Sequence, residues 1–568
     1  MTLGLGWYAP FLSNSGYGSE AISYLQAFQK YLVPQKRLEV AIRQFAEPEN
    51  EEWTKHYLPP DLRRTLRALS QKRLPSGTSS GGGGTAEQQG VQKLASTSSS
   101  GAATEEDGAT STTTAVTGDE VEMQLEDIPY RGSGLAVVCH STPDVWWEDG
   151  AFGWGGLQTR CPPPTAKIRI GRTMYETDTL PNSWVPRLNR MDYILVPSKW
   201  HYDIWKRKIK EHKLKVLHEA VDTEFFSPTA TPQVPQLRHR RQHRLLGNYV
   251  GRLAQSEGGT TAKLDPRTGR MAQTVKKKAP ARYHRTKAGK GHLHEHEQRK
   301  LQHRRYFDDD YAGDMEHDVH VSGEGTTDGS DNDNSEDTLP QPRFFLAVGK
   351  WEKRKGFDVL IKAFQEEFKT EAGIYLLIKT SLFHNTKQQI LREAFGSSYD
   401  LNLERYQHVI VEDMPLSTVE LVQLYREATA VVFPSRGEGW GRCHVEAMST
   451  GRPVIATNFS GPTEYMREGN SLALNYTLAK ETGREGRWAE PSVSHLRQQL
   501  RWVLNHREEA EAIGSNARKT MVDRFSLSAI AKQFEQLLVS MDREISHRDA
   551  LLPERELRGR SSSRRDEL

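Results

Sequence analysis

Residues 430–456 read AVVFPSRGEGWGRCHVEAMSTGRPVIA, and this stretch decides the fold class. Ala430–Phe433 is a short apolar run of the kind buried on both faces of a sheet. A loop with glycines at 437, 439 and 441 follows it. A helix then runs to Gly451, whose freedom at positive φ stops it, and Pro453-Val454-Ile455-Ala456 gives a second apolar run. Strand, loop, helix and strand at this spacing predict a parallel βαβ unit, because parallel neighbours need a crossover. The same alternation extends upstream. Phe344–Val348 is a strand candidate, followed by Phe357, Leu360, Ile361, Phe364 and Phe368 on one helical face. Ile374–Ile378 and Val409–Val411 are further strands, and Ser417-Thr418-Val419-Glu420 is a capping box that opens a helix. The expectation is a doubly wound α/β sheet with helices on both faces.

The N-terminal part alternates as well. Leu3–Tyr8, Leu135–Cys139 and Tyr193–Val196 are strand candidates, and Ala21, Leu25, Phe28 and Leu32 share one helical face. Two stretches lack periodicity: 74–130 is rich in Gly, Ser and Thr, and 229–341 runs from basic and His-rich to acidic. The expected organisation is an α/β domain over 1–228 with a low-complexity insertion at 74–130, and a disordered charged insertion at 229–341. A second α/β domain covers 342–525, a helix follows at 526–545, and 546–568 is a polar tail. Hydrophobic residues make up 36% of the 568, as expected for folded domains diluted by polar sequence. The net charge of +3 gives no general case for nucleic-acid or membrane binding. Three widely spaced cysteines, Cys139, Cys161 and Cys443, argue against a disulfide framework and for a reducing compartment. No apolar run approaches the ~18–20 residues that span a bilayer.

Sheets of this kind bind ligands at the carboxyl ends of their strands. The loop after Ala430–Phe433 carries Glu438, and the helix it opens carries Glu446. Gly439 and Gly441 let backbone amides approach a ligand at a helix N-terminus, and carboxylates suit sugar or ribose hydroxyls. The bland alternative, a glycine-rich connection with solvated acids, is about as frequent for a lone motif. This one is not alone. Ser435–Glu446 resembles the Glu-x7-Glu signature of retaining glycosyltransferases with the GT-B fold, in which two Rossmann-like domains face each other across a cleft. The resemblance implies that Glu438 holds the donor sugar and acts in catalysis, that Glu446 holds the ribose, and that Gly439, Trp440 and Gly441 border the donor. Gly461, in Thr457–Glu464, matches the next donor loop. Arg442-Cys443 stand where relatives have Leu-Pro, so donor-sugar selectivity is not carried over.

Further matches are Lys350 and Lys355 in Gly349–Gly356, which the family sets against the donor diphosphate, and the glycine loop of Gly16 and Gly18. Cations beside a departing diphosphate stabilise its developing charge, and at a helix start they are otherwise disfavoured. Gly16–Ala21 also spells a dinucleotide fingerprint, but Ala9–Ser15 separate it from the strand and no acid ends the second strand. By resemblance His140 contacts the donor sugar as a catalytic residue, and Glu176 and Asp178 are acceptor-side candidates. Ser526 can cap a final helix whose stripe of Ile530, Phe534, Leu537, Leu538 and Met541 packs on its own domain or crosses back to the first.

The reading is a metal-independent retaining hexosyltransferase with a nucleotide-diphosphate sugar as co-substrate and no cofactor. Its acceptor is a glycan, a lipid or a protein. The alternatives are an inactive nucleotide-sugar-binding protein, or a nucleic-acid or anionic-membrane binder using the basic insert. Asp308–Asp310 and His292, His294 and His296 read as solvated runs rather than metal ligands. The C-terminal Arg565-Asp566-Glu567-Leu568 resembles a luminal retrieval signal. Met1–Pro10 shows no secretory signal, so cytoplasm is the expected location.

Overall fold

The computed structural model describes residues 3–71, 135–146, 161–229, 262–264, 271–273, 343–381 and 408–550, apart from positions 14, 48, 52, 53, 56, 57, 164, 165, 370, 372, 414, 415 and 482. The insertions read at 74–130 and, for the most part, at 229–341 lie outside these residues, as do the acidic and histidine runs near 300. The chain divides into two units, Met1–Leu253 with Pro342–Leu568, and Ala254–Gln341.

The first unit holds two lobes. In the first, β1 (Leu3–Ala9), α1 (Gly16–Tyr31), β2 (Leu38–Gln44), α2 (Pro60–Gln71), β3 (Leu135–His140), β4 (Ile168–Arg172), α3 (Val185–Arg190), β5 (Tyr193–Val196), α4 (Lys199–Trp205) and β6 (Leu214–Val216) follow in order. All six strands are parallel, in the order β2-β1-β3-β4-β5-β6. Strand order therefore reverses between β1 and β3, and the crevice there lies between α1 and the end of β3. Ser15 caps α1 by accepting from the Gly18 amide at 3.1 Å.

In the smaller unit, β7 (Ala262–Leu264) and β8 (Met271–Gln273) form an antiparallel pair. Three-residue strands are too short to carry a periodicity, and most of 229–341 lies outside the described residues.

The second lobe comprises β9 (Arg343–Lys350), α5 (Phe357–Phe368), β10 (Ile374–Ser381), β11 (Val409–Glu412), α6 (Thr418–Glu427), β12 (Ala430–Phe433), α7 (Arg442–Ser449), β13 (Val454–Thr457), β14 (Leu472–Leu474), β15 (Tyr476–Lys480), β16 (Arg487–Pro491), α8 (Val493–Asn505), α9 (Arg507–Thr520) and α10 (Leu527–Ala550). Its parallel sheet has the order β11-β10-β9-β12-β13-β14, with the switch between β9 and β12. The capping box forms: the Glu420 amide donates to Ser417 Oγ, and the Ser417 amide donates to Glu420 Oε2 at 2.7 Å. The antiparallel hairpin β15–β16 was not foreseen, since Arg487-Trp488-Ala489-Glu490 shows no clean alternation.

The last helix crosses to the first lobe. Phe534 stacks on Phe28 of α1 at 4.5 Å between ring centroids and touches Trp7 at 5.6 Å. Ile530, Ala531, Leu538, Met541 and Ile545 are buried in the same core. At the helix start Ser526 Oγ accepts from the Ala529 amide at 3.4 Å, and at the far end Tyr193 donates to Glu544 at 2.9 Å. The connection between the lobes is pinned where it enters the second: Val221 donates to the Phe525 carbonyl at 2.9 Å, and Arg426 to the Ser227 carbonyl at 2.7 Å.

One expectation is overturned. Cys139 and Cys161 form a disulfide, with Cα atoms 5.7 Å apart. The 22-residue separation hid the pair, because the chain after β3 returns to the sheet before β4 begins. The ground for a reducing compartment falls with it. Among the described residues, no helix is long and apolar enough to cross a membrane.

Candidate active site

Glu438 sits at the switch point of the second sheet, where the loops after β9 and β12 come together. The approach is close. Gly356 has φ +67°, and a Cβ there would stand 2.0 Å from the Pro434 carbonyl oxygen, so only glycine lets these loops touch. Lys355 Nζ consequently reaches Glu438 Oε1 at 2.7 Å, which also accepts from Ser435 Oγ at 2.7 Å. Arg354 Nη1 donates to Glu438 Oε2 at 2.7 Å. The Glu438 amide donates to Ser460 Oγ at 2.9 Å, and Ser460 holds a φ of +59°, an unfavourable conformation for a residue with a side chain. Burial alone would push the Glu438 carboxyl up. Lys355 and then Arg354 outweigh it and hold the group far below the usual range, so it is ionised.

Glu446 lies at the start of the second turn of α7, half-buried. Its Oε2 accepts from Tyr425 at 3.2 Å, and burial raises its carboxyl. Gly441, at φ +99°, precedes the helix, as the motif predicts. Gly461 lies beneath the loop, its amide donating to the Glu438 carbonyl at 3.0 Å. Lys350 ends β9, opposite Ser381 of β10. Trp440 is placed differently from the reading. Its indole is 1% exposed and packs against His218, Tyr465 and Phe525, which takes the side chain out of the loop surface. The substituted Arg442 reaches across to the first lobe, 3.4 Å from Glu219 and 3.3 Å from Ser23.

In the first lobe His140 ends β3 as read, but its ring has no exposed surface. Trp7 Nε1 can only donate, so His140 Nδ1 accepts it at 3.2 Å and the imidazole proton stands on Nε2, directed at Glu20 Oε2 2.9 Å away. Burial lowers the His140 pKa against the pull of Glu20. Glu20 in turn takes the guanidinium of Arg172, whose Nε lies 2.7 Å from Oε1. Burial would raise the Glu20 carboxyl, but Arg172 and then His140 bring it down to about 2. In this arrangement His140 faces Glu20 and Trp7 rather than an open cleft. Gly16 is open, whereas Gly18 lies against its own loop, where a Cβ would stand 2.5 Å from the Pro10 and Ser13 oxygens.

The lobes meet directly over this loop. A Cβ on Gly439 would strike Met174 Sδ at 2.0 Å, and one on Gly437 the Glu176 carbonyl at 2.4 Å. Glu176 faces Arg354 at 3.7 Å and Arg484 at 3.6 Å. Asp178 holds the β15–β16 hairpin instead of facing open space: it accepts from the Arg487 amide at 2.6 Å and from Arg487 Nε at 2.8 Å. Of the two acceptor-side candidates, Glu176 borders Glu438 through Arg354, and Asp178 is a cross-lobe tether.

Residues 330–520 match the family model described as glycosyl transferases group 1. That stretch takes in the whole sheet of the second lobe. The D-inositol 3-phosphate glycosyltransferase of Acidothermus cellulolyticus is 27% identical over 156 residues, 26% of this chain and 34% of that protein. The alpha-1,3/1,6-mannosyltransferase alg-2 of Neurospora crassa is 25% identical over 232 residues, 37% of this chain and 46% of that protein. The chain thus spans between a third and a half of these relatives. A crystal structure of a glycosyltransferase from Rickettsia africae ESF-5 superposes with a TM-score of 0.50 at 12% identity, covering 96% of this chain and 98% of that one. The architecture is GT-B.

Sequence reasoning missed Arg354, Ser460, Glu20 and Arg172. Arg354 stood inside Gly349–Gly356, and Glu20 inside Gly16–Ala21. Nothing local marks Ser460 or Arg172, whose partners lie 22 and 152 residues away.

Proposed function

We propose that the chain transfers a sugar from a nucleotide-diphosphate donor to an acceptor hydroxyl, with retention at the anomeric carbon and without a metal ion. The observation that carries this reading is the convergence of Lys355 and Arg354 on the ionised Glu438 at the sheet's switch point. Glu438 takes the donor sugar's hydroxyls. Lys350 and Lys355 meet the diphosphate, and Lys355 exchanges its carboxylate partner for phosphate as the donor seats. Glu446 accepts from the ribose. The bond from the anomeric carbon to the diphosphate breaks, the acceptor oxygen bonds to that carbon, and the acceptor's proton leaves with the diphosphate. Fixed cations lower the barrier because the leaving group gains charge in the transition state. His140 acts from behind Tyr17 and Glu20, holding the crevice wall of the first lobe. The name of one relative, a D-inositol 3-phosphate glycosyltransferase, supports an acceptor hydroxyl on a phosphorylated polyol.

A screen of UDP-, GDP- and ADP-sugars that follows nucleotide diphosphate release, with and without EDTA, tests the proposal. Turnover that survives EDTA, is lost in Glu438→Gln, and gives product of unchanged anomeric configuration by NMR is the expected result. Nucleotide binding without release from any donor would establish the inactive binding protein instead. Salt-sensitive binding of DNA or anionic vesicles in place of either would favour the basic insert as the working part.

A further inference from the structure

One guanidinium joins groups from both lobes. Arg354 Nη1 donates to the Gly437 carbonyl and to Glu438 Oε2, both at 2.7 Å. Its Nη2 lies 3.3 Å from Glu352, and its Nε faces Glu176 of the first lobe at 3.7 Å. The Arg354 carbonyl accepts from the Arg436 amide at 2.7 Å, so main chain and side chain are both held to the β12 loop. A cavity of about 360 Å³ beside it is lined by Glu352, Lys353, Arg354, Glu481, Arg484 and Trp488. We infer that Arg354 is a positioning residue that transmits the first lobe's contact, through Glu176, to the orientation of Glu438.

The physical reason is the shape of the group. A guanidinium is a rigid planar fork, so a displacement at Nε is carried to Nη1, and a lysine at the same place would transmit charge but not direction. Three carboxylates, Glu176, Glu352 and Glu438, surround this one cation. Two come from its own lobe and fix its rest position. The third arrives only with the first lobe, because Glu176 follows β4. When the lobes separate, Arg354 loses that corner, and Glu438 loses its alignment while keeping Lys355. Donor binding by the second lobe is thereby possible in either arrangement, and transfer belongs to the closed one.

The inference rests on the transferase reading, and its test separates the two. Arg354→Gln, Arg354→Lys, Glu176→Gln and the double variant Arg354→Gln/Glu176→Gln are assayed for transfer across pH, with melting temperatures recorded. Arg354→Gln is expected to lower kcat by about tenfold or more while donor KM moves little, as for a misplaced group. Its acid limb rises by about one pH unit, since a carboxylate without its guanidinium neighbour takes up protons more readily. Arg354→Lys returns the acid limb towards wild type but leaves kcat low. Glu176→Gln lowers kcat in wild type and has no further effect in Arg354→Gln. Wild-type kcat in both Arg354 variants, or losses from Arg354→Gln and Glu176→Gln that multiply, overturns the inference while transfer itself stands. A wild-type chain that releases no nucleotide diphosphate from any donor overturns the transferase reading and this inference with it.

Discussion

Replacing Glu20 by glutamine removes the counter-charge of Arg172 at a point where neither side chain has any exposed surface. Arg172 keeps the Leu217 carbonyl at 2.8 Å and the Tyr24 ring at 5.6 Å, neither of them a counter-charge. Breaking such a pair from one side costs about 3–5 kcal/mol. The lowered Glu20 carboxyl points the same way. A carboxyl lowered from 4.5 to about 2 on folding stabilises the native state by about 3 kcal/mol when ionised. The sign follows from the direction of that shift. The contribution is complete above the unfolded value of 4.5, and it is lost as pH falls through the folded value of about 2. Urea unfolding followed by tryptophan fluorescence is well placed to read this, because Trp7 touches the cluster through His140. Glu20→Gln should unfold about 3 kcal/mol more easily at pH 7, with the difference narrowing below pH 4.5 towards the folded pKa of about 2. Glu20→Leu combined with Arg172→Met should recover most of the loss, since both charges are then gone. A Glu20→Gln difference under about 1 kcal/mol, or one as large near pH 3 as at pH 7, would refute the buried-pair reasoning.

Glu446→Gln should weaken nucleotide diphosphate binding by about 1–3 kcal/mol in calorimetry, and unchanged affinity in a folded variant would remove Glu446 from the ribose. Deleting 80–125 and 235–335 should leave transfer intact, because closing shorter loops costs little; loss of activity in a folded variant would place an insert at the acceptor. Ending the chain at Phe525 should destabilise the first lobe severely, since Phe534, Ile530, Leu538, Met541 and Ile545 fill its core; an unaltered melting temperature would contradict the packing. Reduction of Cys139–Cys161, which closes a 22-residue separation, should cost about 3 kcal/mol, and a melting temperature indifferent to reductant would count against the bond.

The sequence determined the local elements and their alternation. The apolar strand runs, the 3.6-residue helical stripes, the Ser417–Glu420 box and the stop at Gly451 are written within a few residues, and each formed because its chemistry is local. The Glu438 loop and the Lys350–Lys355 run were legible for the same reason. Only the tertiary structure decided which of these groups face one another. Strand order, reversing between β9 and β12, sets Arg354 and Lys355 against Glu438 across 84 and 83 residues. Packing of distant elements likewise joins Glu20 to Arg172, Cys139 to Cys161 and Asp178 to Arg487, and it turns Trp440 inward and buries His140. Polarity and spacing along a chain can mark a residue as charged, apolar or flexible. Whether a charge is buried, and beside what, is settled by the packing of elements distant in sequence, because the electrostatic energy depends on distance and surroundings that no local pattern encodes.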